Sequence, residues 1–190
     1  MSNHISDLEE ILEYKFKNPK LLDEAITHSS VKKNNFNYER LEFLGDKILG
    51  FVISKYIFEK FSTASEGELS SIFQKYTNEK FLSLVAFELT LDDYVRVQKG
   101  DSLKKNISIM ADLIESLIAA IYIDSNLTVV TSFVEKKIIK SSIIVDLKRK
   151  HPKTLLQEFS LKKYKIIPSY AIHDKKGPDH EPEFLVKVKI

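Results

Sequence analysis

The chain of 190 residues contains no cysteine, which excludes disulfide bonds, thiolate zinc sites and cysteine nucleophiles. No apolar run approaches the ~20 residues that a membrane-spanning helix needs, and the polar segment Ser2 to Glu10 lacks the pattern of a signal peptide. The sequence also has no glycine-rich phosphate loop, and its five histidines are scattered. These absences favour a cytoplasmic protein with no membrane partner.

The formal net charge of +2 conceals an uneven distribution. From Leu147 to the end there are eleven Lys and Arg residues against five Asp and Glu, so the preceding part is acidic. A basic end segment suggests attachment to a polyanion, although a solvated lysine-rich surface explains the charge equally well.

The pattern of apolar residues changes near residue 147. Before it, the sequence predicts an all-α bundle, residues 1–146, with helices at about 5–12, 19–26, 38–61, 66–76, 78–89, 107–123 and 127–141. A basic linker, 147–153, leads into a small module, 154–190, with one helix and two strands. We expect Leu155, Leu156 and Phe159 to face inward and the alternating residues 184, 186, 188 and 190 to form a half-buried strand.

Three carboxylates mark the helix predicted from Tyr38 onward. Glu39, Glu42 and Asp46 occupy positions i, i+3 and i+7, which fall within about 60° of one another on a helix. The stripe continues into Gly50 and Ile53, which we expect to be buried. Three like charges on a partly buried face repel one another and lose hydration, so the stripe predicts a compensating cation.

A second pair of acids, Asp112 and Glu115, shares one face of an otherwise apolar helix. Arg or Lys partners would make the pair a structural ion pair. Alternatively, the pair lies against Glu42 and Asp46 and completes a site for Mg²⁺ or Mn²⁺, the ions that oxygen ligands favour. The Glu-x-x-His pattern of di-iron bundles is absent, and several carboxylates around a hard metal suit phosphodiester hydrolysis.

With these residues in view, the chain resembles the bacterial ribonuclease III family. The segments that carry the resemblance are ERLEFLGD at 39–46, EGELS at 66–70, AD-x-x-E at 111–115 and AIYID at 120–124. From residue 151 onward, PKT-x-x-QE at 152–158 and GPDH at 177–180 resemble the start of a double-stranded-RNA-binding domain. We expect this module to be incomplete, because its third strand and second helix are missing from the sequence.

The resemblance implies a homodimeric endonuclease that cleaves double-stranded RNA in ribosomal and messenger RNA processing. An activated water would attack the phosphodiester and leave 5′-phosphate and 3′-hydroxyl ends. By similarity, the ligands of Mg²⁺, for which Mn²⁺ substitutes, are Glu42, Asp46, Asp112 and Glu115. Asp46 and Glu115 would also be catalytic, with Glu39 as an accessory acid.

The resemblance also implies two binding surfaces. Phe43 would pack into the partner subunit of the dimer. Thr154, Gln157, Glu158 and His180 would contact the minor grooves of the RNA, where shape is read more than sequence.

Two residues depart from the family pattern: Lys47, where we expect little effect, and Phe73, where the family usually has arginine. The alternative to an enzyme is a dimeric double-stranded-RNA-binding protein without catalytic activity.

Overall fold

The computed structural model describes residues 2–31, 36–98, 102–142, 152–176 and 183–190. They divide into two compact units, Met1–Asp146 and Leu147–Ile190. The first unit is helical and the second combines one helix with a two-stranded sheet, so the predicted fold class is confirmed. Of the helices in these ranges, none is long and apolar enough to cross a membrane.

The first unit contains seven α-helices and two short 3₁₀ turns among the described residues. The helices are α1 (Ser2–Leu12), α2 (Pro19–Ala25), α3 (Glu39–Lys60), α4 (Glu66–Thr77), α5 (Glu79–Glu88), α6 (Ile107–Asp124) and α7 (Leu127–Val134). The single helix predicted for 127–141 is therefore shorter, because α7 widens after Val134 into a π-helical turn, Glu135–Ile139.

Short polar side chains determine where several helices begin. Asn18 accepts a hydrogen bond from the backbone N–H of Lys20, and Pro19 follows it at the first helical position, where the predicted helix 19–26 begins. Ser65 and Glu68 form a reciprocal capping box at the start of α4. Asn106 accepts from the N–H groups of Ser108 and Ile109 and so begins α6.

Helix α6 lies at the centre of the first unit, with α3 and α5 packed against it. The apolar residues in the middle of α6, among them Leu113, Ile114 and Leu117, are fully buried, whereas Ile107 at its start and Tyr122 and Ile123 at its end are exposed. A helix that is apolar on nearly all sides is stable only in such a position. The acids that α6 carries are therefore held at the margin of a densely packed core.

The second unit contains α8 (Pro152–Tyr164), β1 (Ser169–Lys176) and β2 (Glu183–Lys189). The strands pair antiparallel, with Ile172 opposite Val186 and an irregularity between Ile172 and Asp174. The prediction of a half-buried strand is wrong: Phe184, Val186, Val188 and Ile190 are all exposed. Phe159 is also half exposed rather than inward. One helix and two strands provide too little surface to cover both faces of the sheet.

Candidate metal centre between the two long helices

The site forms where α3 passes α6 at Gly45. A Cβ atom at this position would lie 1.8 Å from the carbonyl oxygen of Glu115 and 2.4 Å from its carbonyl carbon. Because those atoms belong to the backbone, only glycine permits this approach. The close crossing brings the acid stripe of α3 beside the acid pair of α6.

Three carboxylates converge at this crossing. Ligand oxygens of Glu42, Asp112 and Glu115 all lie within 4.8 Å of one another. Each of the three side chains is partly buried. Within the described ranges, no lysine, arginine or histidine nitrogen lies within 4.0 Å of these carboxylates. The structure therefore does not support the alternative of a structural ion pair for Asp112 and Glu115.

The crowding of these acids shifts their protonation. Burial, followed by the charges of Asp46, Asp112 and Glu42, raises the pKa of Glu115 to about 8. Burial and the neighbouring acids Asp112, Glu39 and Asp46 also raise the pKa of Glu42. The negative charge of each ionised carboxylate disfavours ionisation of its neighbours. A divalent cation would offset both this repulsion and the lost hydration.

Asp112 is oriented by a residue outside the acid set. The hydroxyl of buried Tyr38 donates a hydrogen bond of 3.3 Å to Oδ2 of Asp112. This bond lowers the pKa of Asp112, but burial, the largest cause, and the charge of Glu79 raise it, and the net shift is upward.

The chain holds Tyr38 in place from two sides. Its backbone N–H donates to the carbonyl of Thr27 at 3.0 Å, and its ring meets the ring of His28 edge-on at 5.5 Å between centroids. The Nδ1 atom of His28 accepts from the N–H of Ser30. Both of these contacts of His28 support the local structure.

The structure does not gather all the predicted acids into one group. Glu39 is exposed and is not a member of the three-carboxylate group. Asp46 is also outside it, and its Oδ2 lies 2.5 Å from Nζ of Lys47. Asp46 nevertheless remains close enough to affect both Glu42 and Glu115 electrostatically. The stripe of α3 thus divides between one member of the group and two neighbours.

The structure describes the side chains of only some of the residues predicted to bind RNA or the partner subunit. Phe43 projects from α3 with 71% of its side chain exposed. Gln157 is partly buried on α8. The side chains of Thr154 and Glu158, and the whole of His180, lie outside the described residues.

The roles of three residues at the site, Tyr38, Gly45 and Lys47, were not predicted from the sequence. Tyr38 lies one helical turn before Glu42, so the sequence spacing already indicated that its side chain is close to the acid stripe. The need for glycine at position 45 and the pairing of Lys47 with Asp46 depend on the helix crossing and on side-chain conformation, which the sequence pattern does not show. The ring of Phe73, on α4, faces Gly50 of α3.

Comparisons with known proteins agree with this geometry. A ribonuclease-III-like family model matches residues 18–142, which include both acid-bearing helices. Ribonuclease 3 of Sinorhizobium medicae is 39% identical over 96% of this chain and 79% of the relative. Ribonuclease 3 of Brucella canis is 40% identical over 97% of the chain and 77% of the relative.

Solved structures show the same fold. The nuclease domain of ribonuclease III from Campylobacter jejuni matches with a TM-score of 0.70 and 36% identity, over 73% of this chain and 99% of that one. It is described as having structural flexibility in a region involved in dimer formation. Dicer from Pichia stipitis matches with a TM-score of 0.55 over 93% of this chain and 82% of that one, and at 21% identity this likeness concerns the fold alone.

Proposed function

The chain belongs to the ribonuclease III family of endoribonucleases, and on that premise we propose that it hydrolyses double-stranded RNA at the α3–α6 crossing. The observation that carries the proposal is the convergence of Glu42, Asp112 and Glu115 within 4.8 Å. The products would be 5′-phosphate and 3′-hydroxyl ends. Ribosomal and messenger RNA precursors in the cytoplasm would be the substrates.

The acid group suits Mg²⁺, with Mn²⁺ as a substitute. Its ligands would be carboxylate oxygens, which hard divalent ions prefer, and the raised pKa values of Glu42 and Glu115 support the binding of a positive charge there. When bound, such an ion supplies an activated water and neutralises charge on the phosphodiester. Glu42, Asp112 and Glu115 would hold it, and Asp46 would join them.

The chain's own side chains and backbone organise this centre. Tyr38 orients Asp112 through its hydrogen bond, and the glycine at position 45 lets α3 approach α6. Asp46 and Glu115 would act on the proton of the attacking water, with Glu39 assisting from the exposed end of the stripe. Holding these groups in place before substrate binds reduces the entropy lost in the reaction.

A second part of the proposal concerns assembly. Three phenylalanines on α3, Phe43, Phe51 and Phe58, are more than half exposed and follow one stripe along the helix. Phe51 and Phe58 border a cavity of about 500 Å³ between α3 and α4. Apolar surface of this kind favours burial against a second copy, with Phe43 inserted into the partner. A homodimer would carry two sites, one for each RNA strand.

The second unit would contribute to RNA binding. Its lysine surplus supports contacts with phosphates, and Thr154, Gln157, Glu158 and His180 would reach the grooves. The alternative, a protein that binds double-stranded RNA without cutting it, has weaker support because every acid of the proposed metal site is present.

The test is cleavage of a long RNA duplex in Mg²⁺ by the wild type and by Glu115→Gln and Asp112→Asn. We expect each variant to lose at least about a hundredfold in rate, because a ligand or proton acceptor is removed. Glu59→Gln is the matched control, since Glu59 is an exposed acid of α3 paired with Lys55. Binding without any product from the wild type, unchanged by chelation, would favour the alternative.

A further inference from the structure

Lys47 occupies an unusual position beside the acid group. Neighbouring residues on a helix point about 100° apart, so a side chain does not normally contact the one before it. Lys47 nevertheless folds back along α3 and places Nζ 2.5 Å from Oδ2 of Asp46. Nζ also lies 5.8 Å from the ring centroid of Phe43, one turn earlier, within the range of a cation–π contact.

The folded-back conformation has consequences for the acids. Asp46 lies on the same stripe as Glu42, yet it is not in the three-carboxylate group and its Oδ2 faces the ammonium instead. The positive charge of Lys47 also acts on Glu115 across the crossing, where it opposes the rise in the pKa of that carboxyl. Among the ion pairs that the described residues form, only the Lys47–Asp46 pair includes an acid of the α3 stripe.

We propose that Lys47 is a tethered cation that keeps Asp46 apart from Glu42, Asp112 and Glu115 until a divalent cation competes for that carboxylate. Lys47 is therefore a positioning residue, which acts through Asp46 and lowers the affinity of the site for its metal. This inference rests on the proposed function, because it assumes that the acid group binds a divalent ion.

The size of the effect follows from the exposure of the pair. About two thirds of the Lys47 side chain and half of the Asp46 side chain are accessible to solvent, so the ion pair is screened and its release is easy. We therefore expect removal of the ammonium to tighten metal binding by about two- to tenfold rather than by orders of magnitude.

The experiment measures Mn²⁺ binding without RNA, by electron paramagnetic resonance of the free ion, on the full chain at pH 8. Lys47→Met should bind about two- to tenfold more tightly than the wild type, and Lys47→Arg should bind like the wild type because it keeps the cation. Lys55→Met removes the same charge from a distant, exposed position of α3, where Lys55 pairs with Glu59, and should leave the affinity unchanged.

A double-mutant cycle separates the specific contact from a general charge effect. In an Asp46→Asn background, Lys47→Met should give at most a small gain, because the amide offers no charge for Lys47 to hold. The inference is overturned if Lys47→Met binds Mn²⁺ no more tightly than the wild type, or if its gain persists in full without Asp46. Glu42→Gln and Asp112→Asn report on the proposed function separately: if neither weakens Mn²⁺ binding, the metal site itself is wrong.

Discussion

The two units of the chain treat similar apolar patterns in opposite ways. In the first unit, α6 is covered by α3 and α5, so its central apolar residues are buried, and Asp112 and Glu115 are held at the edge of the core. In the second unit, β1 and β2 carry comparable apolar side chains, but Ile172, Leu185 and Val186 remain exposed. The difference shows that an apolar pattern identifies a surface to be covered, while the number of covering elements decides whether it is buried.

The largest expected effect breaks the packing on which the first unit depends. Gly45→Ala would place a methyl group 1.8 Å from a backbone oxygen of α6, so α3 and α6 must separate. We expect a loss of about 3 kcal/mol or more in the free energy of unfolding, together with loss of cleavage. Denaturant unfolding followed by circular dichroism measures the change.

Gly67→Ala provides the matched control for this substitution. A Cβ at position 67 meets nothing within 4 Å and lies in the first turn of α4. We expect this variant to be neutral or more stable by up to ~1 kcal/mol, since alanine favours the helix. Similar losses for the two variants would show that the loss at Gly45 does not come from its contact with α6.

The partly buried acids should make the stability of the metal-free first unit depend on pH. Because the pKa of Glu115 is raised to about 8, the folded protein retains a proton that the unfolded chain releases near pH 4.5. Stability is therefore present at low pH and is lost as pH rises through this interval; the raised pKa values of Glu42 and Asp112 act in the same direction. In the presence of chelator, the melting temperature should fall by several degrees as the pH is raised from 5 to 8.5.

Two comparisons check the origin of that pH dependence. Glu115→Gln removes the titrating carboxyl and should flatten the profile between pH 5 and 8.5. Addition of Mg²⁺ at pH 8 should raise the melting temperature of the wild type more than that of the variant, which lacks one of the proposed ligands. A wild-type profile that rises with pH in chelator would contradict the electrostatic interpretation of the acid group.

A smaller effect is expected at Tyr38. Tyr38→Phe removes the hydroxyl that donates to Asp112 and leaves the ring packed against His28. We expect a loss of about 1 kcal/mol in the free energy of unfolding and Mn²⁺ binding up to about fivefold weaker. Unchanged Mn²⁺ affinity would assign Tyr38 to packing alone, because the ring survives in the variant.

The smallest effect belongs to the second unit. Phe184→Ser replaces a half-exposed ring on β2. We expect the free energy of unfolding of the first unit, measured by thermal denaturation, to change by less than about 0.5 kcal/mol. A loss above about 1 kcal/mol would show that the apolar side chains of β2 are covered in solution, and the contrast between the two units would then disappear.

Much of the helical architecture was predictable because it depends on local signals. The Asn18-Pro19 start of α2 and the apolar length of α6 are visible in the sequence, and the helices begin and end close to the predicted positions. The burial of Phe159 and of the β2 side chains was predicted wrongly. An alternating pattern records which residues share a face, but it does not show how much of the molecule is available to cover that face.

For the candidate site, the sequence by itself determined the kind of ligand and its arrangement along each helix. Helical periodicity places Glu42 and Asp46 on one stripe and Asp112 with Glu115 on another, because side chains three and four positions apart are neighbours. Only the tertiary structure decided that α3 and α6 approach closely enough at Gly45 for three of these acids to converge while Asp46 pairs with Lys47. The physical reason is that periodicity governs direction within a helix, whereas distances between helices follow from close packing of the whole core.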